Sequence, residues 1–184
     1  MAQKKTFNTP KGTAQYPWLN KADFQFDSNG QFKVNLKVSK EEGQQLVDQV
    51  KEAAAEAFGA KAAKAHLPFK TDDETGELII VTKSKFRPKA CDSTGAVIAE
   101  NNVPPIYGGS TLKLAGNIYP YTAGGRNGVS LQLSAYQIVE LAQASQSGVS
   151  FGAEEGGFVA ANDNAPEFAE EPKAAAGGSS NYNF

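Results

Sequence analysis

The 184-residue chain is 40 % hydrophobic and 10 % aromatic with a net charge of −2, a globular composition with room for one domain and a tail. A single cysteine (Cys91) excludes an internal disulfide framework, a single histidine (His66) leaves no zinc cluster of the usual ligands to assemble, and no stretch approaches the roughly 18 apolar residues of a membrane span. The first twelve residues lack the apolar run of a signal segment, so the expectation is a cytoplasmic protein without membrane contact, metal or cofactor.

In chain order, "QFKVNLKV" (31–38) alternates Phe32, Val34, Leu36 and Val38 with Lys33 and Lys37, the signature of a half-buried strand. Ser39 then stands as an N-cap with Glu42 at the capping-box position. The predicted helix runs to about Ala65, with Leu46, Val50, Ala54, Ala57 and Phe58 as its apolar stripe. A polar turn (71–77) leads into a strand over Leu78–Phe86. "STLKLAGNIYPY" (110–121) alternates again, with Leu112, Leu114 and Ile118 on one face and Lys113, Asn117, Tyr119 and Tyr121 on the other. "TAGGRNG" is a loop carrying Arg126, and Val129–Leu141 reads as a long, bulged strand.

From about Ser147 the chain turns rich in Gly, Ala, Asn, Glu and Pro, which predicts a disordered tail. The charge divides at nearly the same place. Residues 1–150 carry 17 Lys and Arg against 14 Asp and Glu, whereas 151–184 carry Lys173 alone against six acids. The expected organisation is a domain over 1–146 and an acidic tail over 147–184. The domain is mainly β, with one long helix inserted. Short strands with basic outer faces suit a five-stranded Greek-key barrel of the OB-fold type.

The most unusual stretch is "VTKSKFRPK" (81–89). On an ideal strand Lys83, Lys85, Arg87 and Lys89 share one face, while Leu78, Ile80 and Phe86 share the other. Like charges in a row repel, so either water solvates them, as on many edge strands, or a polyanion lies along them. The outward face that interleaves Lys113 with Tyr119 and Tyr121 favours the polyanion. Cations that track phosphates beside rings on which bases stack are the means by which proteins hold single-stranded nucleic acid. Catalysis finds no support. "GVSFG" (148–152) matches a nucleophile elbow in letters only, because the sole histidine precedes it, and no phosphate-binding or dinucleotide motif is present.

Four segments, "GTAQYPWLNKADF", "VPPIYGGSTLKL", "YPY" with "VSLQLSAYQIVELA", and an aromatic C-terminus, follow one another in an order that resembles the single-stranded DNA-binding proteins of tailed bacteriophages. The resemblance covers most of residues 6–145. It implies an OB-fold that coats and protects single-stranded DNA without sequence preference, in phage DNA replication, recombination and repair in the host cytoplasm. It also implies a homodimer, and a tail that contacts replication proteins such as a polymerase or helicase/primase. The family's DNA contacts carry over to Lys83, Lys85 and Tyr121. Relatives can carry a tryptophan just after that tyrosine, where this chain has Thr122 and Ala123, so stacking falls to Tyr119, Tyr107 or Trp18. The expected DNA-binding set is therefore Lys83, Lys85, Arg87, Lys89, Lys113, Tyr119, Tyr121 and Arg126, with Phe184 as the partner-binding end of the tail. The readings from other classes are an interaction protein whose basic strand is merely solvated, and an RNA-binding OB module.

Overall fold

In the computed structural model, which describes residues 5–143, the chain runs β1 (Thr6–Asn8), β2 (Gly12–Asp23), β3 (Gln31–Val38), α1 (Lys40–Phe58), β4 (Phe69–Thr71), β5 (Leu78–Ser84), β6 (Lys89–Cys91), β7 (Thr111–Ala123) and β8 (Arg126–Glu140). Five of the strands close into a ring. Antiparallel ladders join β2 to β3, β3 to β5, β8 to β7 and β7 to β2, and a short parallel ladder between β5 and β8 completes the circuit. This is the expected OB-fold, with the helix inserted between its second and third barrel strands. β1, β4 and β6 are three-residue additions to β7, β5 and β8.

Period-2 alternation explains why these segments form strands. Val34, Leu36 and Val38 of β3, Leu78 and Ile80 of β5, Leu112, Leu114 and Ile118 of β7, and Leu131 and Leu133 of β8 all point into one core. Thr82 joins them, fully buried, and its hydroxyl donates to the Val34 carbonyl at 2.9 Å. The Ser39 side chain caps α1 by accepting from the Glu42 amide at 3.2 Å, and its hydroxyl donates to the Glu42 carboxylate at 3.0 Å. The helix buries Leu46, Val50, Ala53 and Ala54 against the barrel, so Ala53 takes the place expected of Ala57, which is exposed.

Three expectations change. The helix stops at Phe58, because Gly59 adopts φ +53, and the chain continues to Lys64 as a 3-10 turn. The strand expected to reach Phe86 ends at Ser84, and Phe86 is 83 % exposed instead of facing the core. β2 has no counterpart among the strands that alternation predicts. Its register shifts between Gln15 and Trp18, around Pro17 and a Tyr16 held at φ +48, so its buried Ala14, Leu19 and Asp23 are not spaced by twos. The domain boundary at 146/147, the acidic tail and "GVSFG" lie outside the described residues.

The β7–β8 ladder needs a glycine at its bulge. A Cβ on Gly116 would stand 1.9 Å from the Gln132 carbonyl oxygen, at the register shift between Ala115 and Gly116. Backbone, unlike a side-chain tip, cannot swing away. Gly116→Ala should therefore cost about 1–3 kcal/mol or more by overpacking. A denaturant midpoint equal to the parent's would show that the ladder gives way without cost.

Candidate nucleic-acid interface

The outward face of the barrel is built where β5, β8 and β7 lie side by side. Thr82 and Lys83 of β5 stand opposite Leu131 and Gln132 of β8. On the far side of β8, Tyr119 faces Ser130 and Tyr121 faces Gly128. After α1 the chain returns across this face, tied down by the His66 amide donating to the Asn127 carbonyl (2.9 Å) and the Val129 amide donating to the His66 carbonyl (2.8 Å). These elements enclose a cleft of about 260 Å³ walled by the His66–Lys70 segment on one side and Tyr121 on the other, with Val81, Lys83 and Ser130 between them. A second cleft of about 230 Å³ shares Lys83 and Ser130 with the first and adds Gln31, Ser84, Lys85, Phe86 and Gln132. Joined at Lys83, the two make one groove. Among the described residues no carboxylate lines it.

The ring of Tyr121 lies against β8 because residue 128 is glycine. A Cβ there would meet the ring's Cζ and hydroxyl at 2.7 Å and its Cε1 at 3.0 Å. The half-buried tyrosine thus shields a strand glycine with one face and turns the rest of its ring toward the groove.

Charge is sorted between this groove and the rest of the barrel. Lys5 pairs with Glu52 and Glu56, Lys37 with Asp72 and Glu77, Lys33 with Asp23, and Arg87 with Glu100. Lys70, Lys83 and Lys85 make no ion pair with any described carboxylate. Moreover, Lys83 stands directly across from Lys33 in the β3–β5 ladder, an arrangement that costs stability between like charges. The cost is relieved on one side only. Asp23, buried at the end of β2, takes the Lys33 ammonium, and this ion pair together with the Gln25 amide holds its carboxyl below the usual aspartate value. Lys83 is left as surplus positive charge at the centre of the groove.

The eight residues predicted for DNA contact are not all brought together. Lys83, Lys85 and Tyr121 line the groove. Tyr119 shares the outward face of β7 with Tyr121 and is 52 % exposed, and Arg126 sits at the tip of the β7–β8 hairpin that carries Tyr121. Arg87 and Lys89 turn away, because the strand ends before them. They line a separate cleft of about 330 Å³ with Leu19, Pro88, Ile98 and Tyr136, where Arg87 meets Glu100 at 3.2 Å. Lys113 stands at the opposite end of β7, eight residues or roughly 27 Å from Tyr121, in another cleft with Asn8, Cys91 and Gln137. One face of a strand is not one place on a barrel. Neither Trp18 nor Tyr107 lines the groove. Sequence reasoning missed His66, Phe69, Lys70 and Phe86; the only available signal was the run of Lys85, Phe86 and Arg87, in which an aromatic follows a cation just where the strand breaks.

An OB barrel with this groove is similar in fold to the single-stranded DNA-binding proteins of bacteriophages. The crystal structure of gp2.5, the single-stranded DNA-binding protein of bacteriophage T7, is 27 % identical and superposes with a TM-score of 0.65 over 85 % of this chain and 99 % of its own. The single-stranded DNA-binding protein of bacteriophage Enc34, with its C-terminus truncated, is 15 % identical with a TM-score of 0.63 over 75 % of this chain and 87 % of its own. The same Enc34 protein solved in complex with single-stranded DNA is also 15 % identical and matches at 0.63 over 75 % and 88 %. No protein-family model and no curated protein matches the chain. Among the described residues, no helix is long and apolar enough to cross a membrane.

The Asp23–Lys33 pair sets a pH test. The Asp23 pKa is lowered from 3.8 in the folded chain. The pair's contribution is therefore complete above the unfolded value and is lost as pH falls through the lower folded one. Asp23→Asn should reduce the urea midpoint at neutral pH, and the gap from the parent should narrow as pH falls below 3.8. A gap that stays constant across that range would mean the carboxylate acts by shape and hydrogen bonding alone.

Proposed function

We propose that this chain binds single-stranded DNA without reading its sequence, and that it coats and protects DNA during phage replication and recombination. The observation that carries the reading is the groove free of described carboxylates, in which Lys83 and Lys85 lie with Tyr121. Likeness to the single-stranded DNA-binding proteins of bacteriophages T7 and Enc34, the latter solved with single-stranded DNA bound, supports the binding part of it. The lysines are point charges suited to phosphate, and Tyr121 offers a flat face to whichever base arrives. Ser84, Ser130, Gln31 and Gln132 supply uncharged hydrogen-bonding groups between the cations. Arg126 flanks one end of the path. Arg87, Lys89 and Lys113 line other clefts and are left out of the proposed path.

In the same reading residues 1–146 are the binding domain, and the acidic segment 147–184, ending in Phe184, serves as the contact with replication proteins such as a polymerase or helicase/primase. The same reading has the chain pair as a homodimer and work in the host cytoplasm, with no enzymatic activity of its own.

Two outcomes test the reading. Affinity for oligo-dT should fall with salt, and Lys83→Ala with Lys85→Ala should flatten the log–log slope by about 1.4, two phosphates at about 0.7 each for single strands. An unchanged slope would restore the solvated-strand interpretation, and tighter binding to the matching RNA would favour an RNA module. Separately, Gly128→Ala should displace the Tyr121 ring and weaken oligo-dT binding by up to the 1–3 kcal/mol typical of a lost stacking contact, about the loss expected of Tyr121→Ala. Equal affinity in the Gly128 variant would show that the ring's seat on β8 is irrelevant to binding.

A further inference from the structure

Two phenylalanines are exposed on the basic side of the barrel for no reason that stability supplies. Phe26, in the loop between β2 and β3, is 86 % exposed, and Phe86, in the loop after β5, is 83 % exposed. Rings left this far in water contribute almost no burial to the fold. Neither loop is slack. The Asp27 carboxylate accepts from the Asn29 amide at 3.0 Å and its carbonyl accepts from Gly30 at 2.9 Å, which forms the turn just after Phe26. The Ser84 hydroxyl accepts from the Phe86 amide itself at 3.1 Å. Both rings also lie near the Lys33–Lys83 pair. The Lys33 ammonium lies 5.7 Å from the centre of the Phe26 ring, Lys33 stands across the ladder from Lys83, and Lys83 shares its cleft with Phe86.

We infer that Phe26 and Phe86 form a second base-stacking station on either side of the Lys33–Lys83 pair. It lies beyond Tyr121 on one continuous strand path. The inference rests on the proposed single-stranded DNA binding and adds to it where the strand goes. From Tyr121 to Lys83 the path crosses two inter-strand spacings and four residues along the sheet, roughly 16 Å. The loops extend it further. A strand held at both ends therefore spans several nucleotides, within the range of about 4–16 known for one OB fold. Charge complementarity and continuity with the groove select nucleic acid over a protein partner as occupant. Pre-ordered loops keep the cost of fixing the rings low.

The test uses the full chain and a fluorescein-labelled oligo-dT of about 16 nucleotides. Phe26→Ala with Phe86→Ala should raise the Kd by at least about fivefold, the lower end of one stacking contact. The melting temperature should not move, since neither ring is buried. Phe86→Trp should keep the binding that Phe86→Ala loses, because it returns a π-face, whereas Phe86→Leu, apolar but without one, should not. Parental affinity in the double alanine variant, or full binding by Phe86→Leu, overturns the stacking station. If the parent protein binds oligo-dT while the double variant matches it, this inference alone fails. If the parent does not bind, the function proposed above fails with it.

Discussion

The arrangement of this surface depends on a seam two residue pairs long. β5 and β8 run parallel and meet at Thr82 opposite Leu131 and Lys83 opposite Gln132. Parallel pairing requires a crossover connection, and the chain provides one through β6, the following loop and β7. Inside the barrel, buried Thr82 anchors the seam by its hydrogen bond to Val34. Outside it, the same two pairs bring Lys83 beside Ser130 and within one groove of Tyr121. An alternating strand must turn its neighbours to opposite faces, so fixing Thr82 inward fixes Lys83 outward.

Charge is placed by the same logic. Where a cation serves the fold, a carboxylate answers it: Asp23 for Lys33, Asp72 and Glu77 for Lys37, Glu100 for Arg87. The exposed pairs among them, such as Arg87 with Glu100, contribute little each, but they neutralise the field around them. Along the groove the pairing stops. A net charge near zero for the whole chain is therefore compatible with a strongly positive strip, because the compensating acids sit on other surfaces or in the tail.

The sequence disclosed some of this readily and some not at all. β3, the start of α1 and most of β7 were legible because apolar residues recur there at a clean period and Ser39 caps the helix with its own side chain. β2 was hidden, since its bulge around Tyr16 and Pro17 breaks the alternation that would have announced it. Lys83, Lys85 and Tyr121 could be read as cations and an aromatic on outward faces. That Lys113 belongs to a different region could not, because local periodicity assigns a face but says nothing about position around a closed barrel. Phe86 was assigned inward by extending a strand two residues too far. The break at Ser84 comes from a side-chain hydrogen bond to the backbone, the kind of local competition that a period-2 pattern does not encode.

The position of β8 as the last described strand carries a consequence for how the protein is made. Gly128, Ser130 and Gln132 all belong to it, and its partners β5 and β7 lie upstream. On the ribosome, β3, α1 and β5 emerge with Lys83 and Lys85 while the strand that completes the groove is still unsynthesised. Pairings between residues so far apart in sequence are slow to form, and domains generally fold as units. A nascent chain thus has its lysines long before it has a place to use them. Single-stranded nucleic acid near the translating ribosome meets scattered charge on an unclosed sheet, and the groove comes into being only once β8 has been made.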